Sequence, residues 1–174
     1  DRKLARRMQG VTLKIVGPAG PVPAPEKETP EYEIRASAEE LVVQALDNRG
    51  TRFELVQASA DAFAYSYIVD GVRTKPEPVP AAKAVAMIDF WKSAAGMDLQ
   101  DRRKKQTKEI TVEHVNVPRK LKLVTLGGSS GLRLTGVIDA TKQVARKPEE
   151  LGLLDAQKPA FESLVGEHKG VVLL

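Results

Sequence analysis

The stretch from Ala62 to Gly71, AFAYSYIVDG, constrains the fold more than any other part of this sequence. Large apolar side chains occupy every second position, which is the pattern of a half-buried β-strand. Asp70-Gly71 then provides a turn, because glycine adopts a positive φ without steric cost. The chain is therefore predicted to fold back on itself after Val69, and antiparallel sheet is expected to be a main component of the fold.

Two other stretches have the spacing of amphipathic helices. Ser37-Ala38-Glu39-Glu40 has the pattern of a capping box, in which the Ser37 side chain caps the amide of Glu40. The first helix is therefore predicted to begin at Ser37 and to end at Gly50. The second is predicted to follow a cluster of prolines and to end at Gly96. Its apolar stripe predicts packing in a core: Ala84, Met87, Ile88, Trp91 and Ala95.

The remaining strand-like segments complete the expected order of elements. The predicted strands are 11–16, 53–57, 62–69, 110–115, 121–126 and 132–137. Asn116-Val117-Pro118 and the run 127–131 are predicted to separate the last three. From Ser37 the order is α-β-β-α-β-β-β. This order favours an α+β fold with a mainly antiparallel sheet and helices packed on one face, as in two-layer domains of the PAS type.

Composition shifts along the chain predict three parts. Residues 1–31 are expected to be a basic N-terminal segment with a short strand and a proline-rich linker. Residues 32–150 are expected to form the α+β domain. Residues 151–174 begin with a short helix that Asp155 is predicted to cap, and they end in the apolar run VVLL. We expect that run to be a buried strand cut off before its next element, so this part is predicted to be the truncated start of another domain.

The residue types present exclude several kinds of chemistry. The chain has no cysteine, so disulfides, thiolate zinc sites and cysteine nucleophiles are excluded. Its only histidines are His114 and His168, and His114 continues the inward face of a predicted strand. We therefore predict a half-buried histidine at 114 rather than a metal ligand. No paired-carboxylate or Ser-His-Asp spacing is recognisable, so no catalytic residue, cofactor site or metal site is predicted in these residues.

A basic run, Arg102-Arg103-Lys104-Lys105, follows the second predicted helix. Nucleic-acid binding would require interleaved aromatic residues or a recognition helix, and neither accompanies the run. The alternatives are a solvated loop and a contact with an anionic group or a neighbouring subunit. The glycine-rich run 127–131 lacks the Gly-Lys-Ser/Thr ending of a phosphate-binding loop and lies between two predicted strands. It is therefore predicted to be a hairpin loop.

The order of motifs from Asp70 to Gln106 resembles the second N-terminal domain of the GspE/PilB-type secretion and pilus-assembly ATPases. That domain has a hairpin ending in Arg-Ile-Asp-Gly-Val, a Pro-led helix, and then Ala-Gly-Met-Asp-Ile-Ala-Glu-Arg-Arg. The resemblance covers roughly residues 37–174. The matching segments here are Asp70-Gly71-Val72, the helix through Trp91, AGMDLQDRR at 95–103, Val124-Thr125-Leu126, Leu151-Gly152-Leu153-Leu154 and the final GVVLL.

The resemblance implies a regulatory and coupling role in a type II secretion or type IV pilus assembly ATPase. In that family the domain transmits nucleotide-driven motion within a hexameric ring, and ATP and Mg²⁺ bind the downstream domain. The implied partners are the chain's own ATPase domain, neighbouring subunits and an inner-membrane platform protein. The implied location is the cytoplasmic face of the inner membrane. Neither catalysis, nor nucleic-acid binding, nor membrane insertion is expected of these residues.

The resemblance also assigns the candidate site residues. Arg102, Arg103 and Gln106 fall at the family's helix-turn-strand junction, where they are expected to pack the junction or to face a neighbouring subunit. Ser66 and Ile68 stand where the family hairpin has arginines, so they cannot supply its charge-assisted contacts to phosphate. Three other hypotheses remain open. They are a free-standing sensory-type module that binds a ligand or protein, a nucleic-acid binder, and a degenerate ATPase that serves as a scaffold.

Overall fold

The computed structural model of the chain describes residues 11–128, 131–139 and 154–166. Contacts divide the chain into two compact units, Asp1–Ala140 and Thr141–Leu174, whereas the sequence analysis placed the second domain boundary after residue 150. The fold is α+β with a mainly antiparallel sheet, as predicted. Among the described helices, none has both the length and the apolar character needed to cross a membrane.

The described residues include nine strands and three helices. In chain order they are β1 Lys14–Gly17, β2 Gly20–Pro21, α1 Pro30–Asp47, β3 Arg52–Gln57, β4 Ala62–Val69, β5 Val72–Arg73, β6 Glu77–Pro80, α2 Ala81–Ala94, β7 Gln106–His114, β8 Val117–Gly128, β9 Gly131–Ile138 and α3 Lys158–Gly166. The predicted order of helices and strands is confirmed. The short strands β2, β5 and β6 were not predicted.

All nine strands belong to one antiparallel sheet. Its order is β2-β1-β7-β8-β9-β3-β4-β5. β3 occupies one edge of β4, and the other edge pairs with β6 along its first half and with β5 at its end. The predicted 11–16 strand is present as β1, which pairs with β7. The proline-rich stretch 17–30, interpreted as a linker, contributes β2 to the edge of the sheet. β6 also contains prolines, which an edge strand tolerates because one side of its backbone needs no ladder partner.

The core lies between the helices and one face of the sheet. Strand register places alternate apolar residues on this face, and Trp91 of α2 is fully buried against them. The predicted α2 stripe is buried throughout, so that prediction is confirmed. Gly136 lies opposite Phe53 in this layer, and a Cβ at Gly136 would be 2.1 Å from the Phe53 ring. The sheet-face members are Ile15, Phe53, Leu55, Phe63, Tyr65, Ile110, Val112, Leu121, Leu123, Leu134 and Ile138.

The start of α1 differs from the prediction. The helix begins at Pro30, and Thr29 is its N-cap, with the Thr29 hydroxyl accepting a hydrogen bond from the Tyr32 amide at 3.2 Å. Proline is favoured at the first helical position because its missing N–H would have no intrahelical partner there. Ser37 and Glu40 therefore lie within the helix, and the capping-box prediction is wrong. The Glu40 carboxylate instead accepts a hydrogen bond from Gln44, one turn later.

The turn between β7 and β8 is also displaced from its predicted position. Val115 and Asn116 form it, with φ of 50° and 58°, and His114 pairs with Val117 across it. Positive φ at both central residues is the geometry of a type I′ hairpin, and its twist matches that of the strands. Pro118, which was predicted to interrupt the strands, lies in β8 opposite Glu113.

A buried ion pair fixes the N-terminal strands to α1. Arg35 Nε donates to Glu39 Oε1 at 2.7 Å, and the two side chains are only 3% and 1% exposed. Glu39 Oε2 accepts hydrogen bonds from the amides of Thr12 and Leu13 at 2.8 and 2.9 Å. The Arg35 guanidinium also donates to the carbonyls of Leu13, Val22 and Pro23. Both charges therefore have several partners, as burial of ions requires.

The second unit contains α3, which confirms the short helix predicted there. Asp155 was predicted to cap it, but the helix begins at Lys158. The Asp155 carboxylate accepts a hydrogen bond from Lys158 Nζ at 2.7 Å. The predicted strand 171–174 and the basic residues 1–10 lie outside the described residues.

Candidate functional site

The basic turn, which we define as Asp101–Lys105, connects the end of α2 to β7. α2 ends where Gly96 adopts a φ of 64°, as predicted from the sequence. Asp101 then organises the turn, because its Oδ1 accepts hydrogen bonds from the amides of Arg103 and Lys104 at 3.0 Å each. These two amides hold the pKa of Asp101 below its ordinary value. The cations of the turn are therefore presented on a fixed backbone.

Gln106 holds the loop that precedes it. Its side-chain Nε2 donates to the carbonyls of Asp98 and Asp101, each at 2.9 Å, and its Oε1 accepts from the Asp98 amide at 2.8 Å. One amide side chain therefore satisfies three backbone groups in a loop that has no regular secondary structure. The Gln106 side chain therefore connects the start of β7 to the loop that follows α2.

Two contacts tie the basic turn to α2. Arg102 donates to Asp89 Oδ2 at 2.7 Å, and about half of the Arg102 side chain is exposed. Lys92 is 1% exposed, and its Nζ donates to the Asp101 carbonyl at 2.9 Å. A buried lysine requires such a partner, because an isolated ammonium loses its hydration without compensation. The helix and the turn are thus connected through both a side chain and the backbone.

A cavity of about 510 Å³ lies beside the basic turn. It is formed where the turn meets the end of the β8–β9 hairpin. Gly127 permits this approach, since a Cβ there would be 1.8 Å from the Arg102 carbonyl oxygen. The pairing of Gly128 with Gly131 confirms that this run joins two strands in a hairpin. The lining residues are Arg102, Arg103, Gly127, Gly128, Gly131 and Leu132.

The structure therefore brings Arg102 and Arg103 to one cavity and gives Gln106 a supporting position. Sequence reasoning missed the two anchors in the preceding helix, Asp89 and Lys92. Lys92 follows Ile88 by four residues, so helical spacing placed it at the border of the buried stripe. The role of Asp101 was also predictable from the sequence, because aspartate often accepts a hydrogen bond from the amide two residues later in an Asx turn.

A second cationic cluster lies on the opposite side of the sheet from the helices. Glu54 Oε2 accepts hydrogen bonds from Arg73 at 2.7 Å and from Arg133 at 2.9 Å. Arg73 also donates to Ser66 Oγ at 2.8 Å. The Glu54 side chain is 4% exposed, whereas the two arginine side chains are each nearly half exposed. Ser66 itself supplies no charge at this position, but the Arg73 guanidinium donates a hydrogen bond to its hydroxyl.

The electrostatics of Glu54 follow from this arrangement. Burial acts to raise the pKa of its carboxyl, but hydrogen bonds and charge from Arg73 and Arg133 outweigh that effect, so the pKa lies below its ordinary value. The ionised form is therefore the one that the fold stabilises.

Glu54→Gln is expected to remove a pH-dependent part of the stability. Because the pKa of Glu54 is lowered on folding, its contribution is complete above the ordinary value of 4.5 and is lost as the pH falls through the folded value. Urea unfolding at a series of pH values from about 7 to about 3 measures this contribution. The free energy of unfolding should fall less steeply with decreasing pH in the variant than in the wild type. Parallel pH profiles for the two proteins would contradict this assignment.

The described residues hold no group of three or more side chains suited to a metal ion. His114 Nε2 lies 3.1 Å from Asp47 Oδ1, and the His114 side chain is mostly buried at the end of β7. This agrees with its prediction as a half-buried strand residue.

The fold and its two cationic clusters define an α+β domain whose distinctive chemistry is the presentation of fixed arginines. No protein-family model matches the chain, and no curated protein is significantly similar to it.

Proposed function

We propose that this chain contains the regulatory and coupling domain that precedes the catalytic domain of a type II secretion or type IV pilus assembly ATPase. The support is the order of elements together with the position of the basic turn. The motif that resembles the family's junction, AGMDLQDRR at 95–103, follows a helix and precedes a central strand pair. A fixed turn with outward arginines is what a coupling domain needs at such a junction.

The observation that carries the proposal is the attachment of the basic turn to both layers of the domain. Lys92 and Arg102 connect it to α2, and Gln106 and Gly127 connect it to the sheet side. A force applied to Arg102 or Arg103 therefore reaches the helix and the sheet through short hydrogen-bonded paths. Packed elements of this kind move as rigid bodies rather than deform continuously.

The proposed mechanism is mechanical. ATP with Mg²⁺ binds and is hydrolysed in the downstream domain, which moves against this domain within a hexameric ring. Arg102 and Arg103 contact a neighbouring subunit or the chain's own ATPase domain. The motion passes to an inner-membrane platform protein, and the protein acts at the cytoplasmic face of that membrane. Catalysis, nucleic-acid binding and membrane insertion are not part of the role proposed for these residues.

A double variant of the complete gene product, Arg102→Ala with Arg103→Ala, tests this proposal. We expect the ATPase rate of the assembled ring to fall by about tenfold or more, since loss of an anchoring arginine at an interface costs roughly 2 kcal/mol. Lys104→Ala with Lys105→Ala is the matched control. It removes the same charge from the same turn but spares the residues that line the cavity. We expect the control to retain the wild-type rate and ring size.

Two results would overturn the proposal. One is a complete gene product without a downstream Gly-x-x-x-x-Gly-Lys-Ser/Thr loop or any remnant of its domain. The other is an equal rate for both double variants.

The cavity beside the basic turn favours one alternative, a free-standing sensory-type module that binds a ligand or protein there. The first result would support that alternative, whereas a downstream domain with a degenerate loop and an intact ring would identify a scaffold.

A further inference from the structure

The sheet face opposite the helices, which we name the open face, is uncovered in the described part of Asp1–Ala140. Both α1 and α2 contribute to the core on the other face. Val16 and Leu126 of the open face are 43% and 44% exposed. The open face therefore presents apolar side chains as well as charged ones to the solvent.

The open face is positively charged. Strand register assigns it six cations and three carboxylates, which gives a net charge of three positive. Two of the carboxylates already pair with lysines of the same face, Glu113 with Lys14 and Glu109 with Lys120. The six cations are Lys14, Arg52, Arg73, Lys120, Lys122 and Arg133.

The centre of the open face holds a preorganised pair of arginines. Arg73 and Arg133 converge on one oxygen of the buried Glu54, so their positions are set before any partner arrives. Each guanidinium has five N–H donors, and only some are used by Glu54 and Ser66. Because the two arginine side chains are ordered in advance, less side-chain entropy is lost when a partner binds. Arginine is also enriched among the residues that contribute most of the binding energy at protein interfaces. The remaining donors suit carboxylates.

Apolar side chains surround this pair. Register places them in the rows beside Arg133 and Glu54, and all are partly exposed: Val56, Ala64, Ile68, Val124 and Val137. A small anion would use the arginines but would leave this apolar area in water. A polypeptide that carries both carboxylates and apolar side chains would use both.

We propose that the open face is a docking surface for a segment of a partner protein that is rich in carboxylates and carries apolar side chains. The proposal does not depend on the ATPase assignment. It favours a protein over a single-stranded nucleic acid because the sheet's aromatic side chains, Phe53, Phe63, Tyr65 and Tyr67, lie on the helix-facing side. Bases would have no aromatic platform on the described open face. A second copy of this surface is disfavoured because the two positive faces repel each other.

The test uses the full 174-residue chain and a synthetic helical peptide of leucine at helical spacing with glutamate elsewhere. Fluorescence anisotropy measures its Kd, and NMR chemical shifts locate the contact. We expect shifts on β3, β4 and β9, and binding weakened by at least about tenfold in the Arg73→Gln/Arg133→Gln variant. The control, Lys83→Gln/Lys108→Gln, removes equal charge from exposed sites off the open face. It should change Kd by less than about threefold.

A further variant and two probes make the outcome decisive. The Arg73→Gln/Arg133→Gln protein leaves Glu54 without its partners, so Glu54→Gln is added to give a triple variant with a neutral cluster. We expect the triple variant to keep the wild-type circular dichroism spectrum and to bind as weakly as the double variant. A peptide with glutamine in place of glutamate should bind far less. Equal loss in the control, shifts outside the open face, equal affinity for the glutamine peptide, or tighter binding of polyuridine there would each overturn the proposal.

Discussion

Glu39→Gln is expected to lower the free energy of unfolding by about 3–5 kcal/mol, the usual cost of breaking a buried ion pair by changing one partner. The substitution leaves Arg35 buried beside a neutral amide. The Glu39 carboxylate uses one oxygen to accept the Thr12 and Leu13 amides and the other to accept Arg35. A glutamine side chain has only one acceptor oxygen, so it cannot serve both sets of donors. The N-terminal strands should therefore detach from α1 before the rest of the domain unfolds.

Chemical denaturation measured by tryptophan fluorescence gives the size of this effect, because Trp91 is fully buried and hydrogen-bonded to the α1 backbone at Ala38. The matched control is Glu40→Gln, at the next position of the same helix. Glu40 is only half-buried, and its carboxylate accepts a hydrogen bond from the Gln44 side chain one turn later. We expect that change to cost under about 0.5 kcal/mol. A similar small loss for both variants would show that the ion pair does not secure the N-terminal strands.

Gly127→Ala is expected to lower stability by about 1–3 kcal/mol, the range for a group forced into a packed site. The new Cβ would lie 1.8 Å from the Arg102 carbonyl, which belongs to the backbone and cannot rotate away. The basic turn must then leave the sheet, and the Arg102–Asp89 and Lys92–Asp101 contacts should weaken with it.

Gly128→Ala is the control for this prediction. It adds the same methyl group at the next position, where nothing lies within 4 Å of the new atom. Urea denaturation should separate the two variants, and hydrogen exchange at the amides of Arg103 and Lys104 should accelerate only in Gly127→Ala. If the two variants behave alike, the turn is not docked on β8 as described.

Local pattern was sufficient for the main elements of the fold. Alternation located β4 residue for residue, and helical spacing identified the buried side of α2, because side-chain burial imposes those periods directly. The errors occurred where two local signals competed. Thr29-Pro30 and Ser37 both resemble helix starts, and only tertiary contacts of the first turns distinguish them. Val115 was read as strand because β-branched residues seldom adopt the positive φ that this hairpin requires.

The candidate site was less accessible to sequence reasoning. Arg102 and Arg103 were identified through a resemblance in motif order, and the structure places both at one cavity. The Glu54 cluster had no sequence signal, since its members lie on three strands that are distant in the chain and meet only through register. Such a cluster becomes visible only when the pairings of β3 with β9, of β3 with β4 and of β4 with β5 are known.

The contact between Gly136 and Phe53 links two positions that are far apart in the chain. The phenylalanine ring occupies the space that any side chain at 136 would need, so the two residues share one volume across β3 and β9. Natural variants that acquire even a methyl group at 136 should therefore carry a smaller side chain at 53. In a set of relatives, the pair would then change together and would mark this strand pairing from sequence alone.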